Sequence, residues 1–85
     1  MLNSINPATG ETIATYEPHT ETEVEAALLA AEKAYRAGKS DDFSQRAQRL
    51  TKAADILDTR KEEFARLMTA EMGKPISQAR AEVEK

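Results

Sequence analysis

From residue 24 onward the apolar side chains recur at helical spacing, and that recurrence constrains this chain more than any other feature. Val24, Ala27, Leu28, Ala31 and Tyr35 fall at i, i+3, i+4, i+7 and i+11, one face of a helix. Phe43, Ala47, Leu50, Ala54 and Leu57 follow at steps of 4, 3, 4 and 3, with Ala53 and Ile56 widening the stripe. Phe64, Leu67, Met68 and Met72 make a less regular third face, and Ile76, Ala79 and Val83 begin a fourth. Residues 20–85 therefore read as three to four amphipathic helices. Such helices are stable only when something covers their stripes.

The punctuation agrees with the periodicity. Thr20 with Glu23 has the capping-box spacing, in which side chain and backbone satisfy each other's free groups at a helix start. Asp42 with Gln45 has the same spacing, and so does Thr59 with Glu62, which predicts the start of the third helix. Gly38 is the expected stop of the first helix and Gly73-Lys74-Pro75 that of the third. Pro75 also suits the first turn of the fourth. No stop signal follows Val83, so the fourth helix is expected to be either cut from a longer one or a short terminal helix docked on its neighbours.

Residues 1–18 have a different character. Asn6-Pro7-Ala8-Thr9-Gly10 carries turn chemistry: Asn at the start, Pro fixing φ, Gly able to take positive φ at the end. Leu2 to Ile5 precedes it, and Glu11 to Tyr16, with Thr and Ile in β-favouring places, follows. A β-hairpin is predicted, ended by Pro18. Two short strands are marginal alone, so the hairpin must lie against something. The fold class is thus α+β: a hairpin over 1–18 and a helical segment over 20–85.

Length and composition bound what this fold can do. At 85 residues the chain is one small domain at most, and a domain of this size buries only about 60–65% of its unfolded surface. It has four aromatic residues, Tyr16, Tyr35, Phe43 and Phe64, and much of its apolar count is alanine. Weak stability, or partial disorder, is expected when it stands alone. Fifteen acidic and 12 basic side chains leave a net charge of -3, which gives no footing for a nucleic acid or an anionic membrane. There is no cysteine, so no thiol nucleophile, thiolate metal site or disulfide lies within these residues. The glycines at 10, 38 and 73 write no phosphate-cradling loop. No apolar run approaches a membrane span and no signal-peptide core follows Met1, so a cytoplasmic location is expected.

Candidate chemistry is sparse. His19, the single histidine, sits in a loop without a nucleophile or metal partner nearby in sequence. Glu21, Glu23 and Glu25, with Asp41 and Asp42 further on, lack the spacing of a calcium loop and read as helix-start electrostatics. Arg46, Arg49, Lys52, Arg60 and Lys61 alternate with Asp55, Asp58, Glu62 and Glu63, as on a solvated, ion-paired helix face. Met68 and Met72 read as core packing rather than a binding groove. No catalytic, cofactor-binding or metal-ligating residue is assigned, because no acid–base pair or nucleophile lies within reach of a pocket.

Taken in order, the motifs resemble the N-terminal end of the aldehyde dehydrogenase superfamily. Ile5-Asn6-Pro7-Ala8-Thr9-Gly10-Glu11 looks like that family's opening hairpin, and the alanine-rich helix from Val24 to Tyr35 follows in place. Arg46, Leu50, Ala54 and Leu57 resemble its R-x3-L-x3-A-x2-L helix. Leu67-Met68-Thr69-Ala70-Glu71-Met72-Gly73-Lys74-Pro75 resembles its L-x-T-x-E-x-G-K-P helix end, and Ala79 with Glu82-Val83 matches the next helix. The Glu71–Pro75 wording and the Glu82-Val83-Glu84-Lys85 run look most like succinate-semialdehyde dehydrogenases.

The resemblance implies that residues 1–85 are an incomplete N-terminal portion of a cofactor-binding domain in an α/β Rossmann-type fold. It implies a parent that oxidises an aldehyde with NAD or NADP through a cysteine thiolate and a glutamate-activated water. Those groups would lie downstream, and Glu71 is not the general base. The implied partners are the remainder of the parent subunit and homologous subunits in a homo-oligomer. The isolated chain is expected to be inactive and to bind no cofactor by itself. A different class stays open at this point: a stand-alone helical interaction module derived from the same family.

Overall fold

The computed structural model describes residues 1–85. Two strands, β1 (Leu2–Ile5) and β2 (Thr12–Tyr16), precede four helices: α1 (Glu21–Gly38), α2 (Phe43–Thr59), α3 (Lys61–Met72) and α4 (Ile76–Glu84). The strands pair antiparallel, with Leu2 opposite Tyr16, Asn3 opposite Thr15 and Ser4 opposite Ala14. The register then slips, and Ile5 faces Thr12, which leaves Ile13 as the extra residue of a bulge. The turn closes as its residues predict. Asn6 Oδ1 accepts from the Ala8 and Thr9 amides at 2.8 and 3.3 Å, and Gly10 takes φ +78.

The first two capping boxes form as read. Thr20 Oγ1 accepts from Glu23 N at 3.2 Å while a Glu23 oxygen accepts from Thr20 N at 3.0 Å. Asp42 and Gln45 reciprocate in the same way, at 2.8 and 3.0 Å. The third does not form. Thr59 is the last residue of α2, and its hydroxyl donates back to the Asp55 carbonyl at 2.9 Å. A hydroxyl one turn down its own helix has that carbonyl within reach, and here the i−4 bond replaces the cap. Arg60 is instead the single residue joining α2 to α3, with no side-chain cap at the α3 start.

Gly38 also departs from its expected role. It stays inside α1, and the helix ends through Lys39 in ordinary right-handed geometry, with Lys39 N bonded to Tyr35 O at 2.8 Å. The Arg49 guanidinium pairs with Asp41, in the short link after it. Gly73 does act as the stop of α3, at φ +73, and Pro75 leads into α4.

The hairpin finds its support at the α3–α4 corner. Ser4 and its cross-strand neighbour Ala14 are half-buried. Ser4 Oγ donates to Glu71 Oε1 at 2.7 Å. At Gly73 the ring of Pro7 comes so close that a Cβ there would meet Pro7 Cγ at 3.4 Å.

The buried core is two alanines, Ala65 and Ala79, both at 0% exposure, where α3 and α4 pack closely. Phe64 and Met68 are half-buried, while Leu67 and Met72 of the same predicted face are exposed. α1 and α2 bury no residue. The Cα radius of gyration is 17.4 Å, against about 12 Å for a compact chain of this length. The molecule extends 48 × 35 × 14 Å. Its thin dimension is little more than one helix diameter of about 10–12 Å, so the elements form a single layer rather than the usual two.

Candidate functional site

Three features of this layer hold side chains with something to do: an ion-pair lattice around α3, the clasp between the hairpin and the α3–α4 corner, and an open apolar groove. The lattice belongs to the alternating charges of the sequence. Arg80 Nε donates to Glu62 Oε1 at 2.6 Å, and Lys61 Nζ to Glu84 at 2.9 Å, which ties α3 to α4 from both sides. Arg60 grips Glu63 with two donors at 2.8 and 2.5 Å and lays its guanidinium 4.6 Å from the centre of the Phe64 ring. The Glu62 carboxyl is held below its usual range, first by the Arg80 hydrogen bond, and Glu63 likewise by Arg60. The Arg60, Lys61 and Arg80 cations are correspondingly favoured. Lys61 and Arg80 are half-buried and the other groups lie in solvent, so the pairs orient the helices and contribute little stability.

His19 Nδ1 lies 3.0 Å from Glu23 Oε2, the oxygen already engaged in the cap of α1. Glu23 titrates below the normal carboxylate range, mainly through the Thr20 amide and secondly through His19. His19 thus backs a helix cap, and no nucleophile joins it. Glu21 and Glu23 both stand in the first turn of α1, as read from the sequence. Arg46 stacks loosely on Phe43 at 5.9 Å. No group of three metal-ligating side chains comes together. Glu71 is the acceptor of the Ser4 clasp. Lys74 of the same motif reaches Glu82 at 3.5 Å. The Glu71–Pro75 wording therefore describes the corner that clasps the hairpin.

The groove lies between α2 and α4. Leu50, Ala53, Ala54, Leu57 and Val83 line a space of about 370 Å³, with Asp58, Glu84 and Lys85 at its rim. Leu50 is 73% exposed and Leu57 46%. On α1, Val24, Leu28 and Tyr35 of the predicted stripe are exposed as well. Sequence periodicity found these stripes. It passed over Ala65, which lies on the third stripe three residues before Met68 and seven before Met72 but is too small to mark it, and it missed the Ser4–Glu71 pair, whose members are 67 residues apart.

The sequence profile of the aldehyde dehydrogenase family matches residues 1–85, the whole chain. A probable succinate-semialdehyde dehydrogenase [NADP(+)] of Synechocystis is 51% identical over 84 residues, which is 99% of this chain and 18% of that protein. The succinate-semialdehyde dehydrogenase [NADP(+)] of Mycobacterium avium is 45% identical over 85 residues, again 18% of its length. Among solved structures, the glyceraldehyde-3-phosphate dehydrogenase GapN of Methanocaldococcus jannaschii, in complex with NADP, superposes with a TM-score of 0.86 at 33% identity. That match covers 99% of this chain and 18% of the archaeal one. The chain thus spans under a fifth of the length of the relatives it matches. The hairpin, the four helices and the clasped corner are the N-terminal elements of that fold, and the chain belongs to the aldehyde dehydrogenase family.

Proposed function

We propose that this chain is the N-terminal segment of an oxidoreductase that oxidises succinate semialdehyde to the dicarboxylic acid with NADP as the hydride acceptor. The observation that carries this reading is the 51% identity, along 99% of the chain, with a relative named for that substrate and cofactor. The segment's part is architectural: residues 1–85 open a cofactor-binding domain, and the thiolate, the general base and the nucleotide site belong to the sequence beyond the match. The parent works in the cytoplasm as a homo-oligomer on this reading.

NADP does not fit the residues present here. Gly10 sits in an open hairpin turn, Gly38 inside a helix and Gly73 against Pro7, so no glycine opens a strand-to-helix turn where a pyrophosphate would approach the backbone. The 85 residues alone are therefore expected to produce no NADPH from succinate semialdehyde.

The test is a joined protein: the matched segment of the Synechocystis relative is replaced by this chain, and NADPH formation is followed with succinate semialdehyde. Turnover within about tenfold of the parent, a barrier change of about 1.4 kcal/mol, supports the assignment. A folded but inactive joined protein argues against it and favours the second reading, an interaction module, for which the exposed α1 and α2 stripes speak.

A further inference from the structure

We draw no further inference here: the strongest candidate, the apolar groove between α2 and α4 lined by Leu50, Ala54, Leu57 and Val83, carries nothing because nothing in the structure shows what covers it.

Discussion

At the scale of single residues, two glycines in this chain carry opposite predictions. Gly73 holds φ +73 and has Pro7 at the place where a Cβ would project. Gly73→Ala combines a left-handed backbone, about 1–2 kcal/mol for an L-residue, with a tight contact, so it destabilises the α3–α4 corner and the hairpin together. Gly38 is helical, and an added Cβ would meet only ordinary contacts at 3.5 and 3.7 Å. Gly38→Ala stabilises α1 by about 0.5–1 kcal/mol. Far-UV dichroism in a urea titration checks the ranking: Gly38→Ala retains helix longest, the unsubstituted chain is intermediate, and Gly73→Ala loses it first. From sequence both glycines carry the same stop signal. Each is followed by a lysine, and the difference lies one residue further on, where Pro75 ends the run after Gly73 and Ser40 stands after Gly38.

At the scale of elements, the caps make a comparable test. Thr20→Ala and Asp42→Ala each remove a side-chain acceptor from a helix N-terminus and are expected to cost about 1 kcal/mol. Thr59→Ala removes only a back-bond within α2 and is expected to be neutral or slightly stabilising. Helix content of the three variants at intermediate urea reads the difference directly. The three sites were indistinguishable by spacing. A capping box is legible when the preceding residues are polar or turn-forming, as before Thr20 and Asp42. It fails at Thr59, where helical residues precede the threonine and give its hydroxyl a nearer acceptor. The ion pairs of α3, Glu62 with Arg80 of α4 and Glu63 with Arg60 at the α3 start, add a pH dependence. Glu62 and Glu63 titrate below their unfolded values, so their contribution is present above the ordinary carboxylate range and is lost as pH falls through the lowered folded values. Helix content is expected to drop on acidification, and less steeply in high salt, where these exposed pairs are already screened.

At the scale of the whole molecule, a layer 14 Å thick with two buried residues has little to hold it as a cooperative unit. Hydrogen exchange on the free chain is expected to show its strongest protection around Ala65 and Ala79 and little in α1. Uniform protection across all four helices would show a stability that the exposed stripes do not provide. Periodicity named the apolar side of each helix, yet it was silent on whether those sides face one another, since a helix pattern records which side is apolar and not what meets it. The hairpin adds a separate liability. A two-stranded ribbon has two outer edges, and neither Leu2–Ile5 nor Thr12–Tyr16 carries a charge or a proline to blunt them. Each edge is a template for another chain's strand. In a concentrated, warmed sample the first ordered assemblies should grow by strand addition at this ribbon rather than by clustering of helices, so the opening sixteen residues set the shelf life of the purified chain.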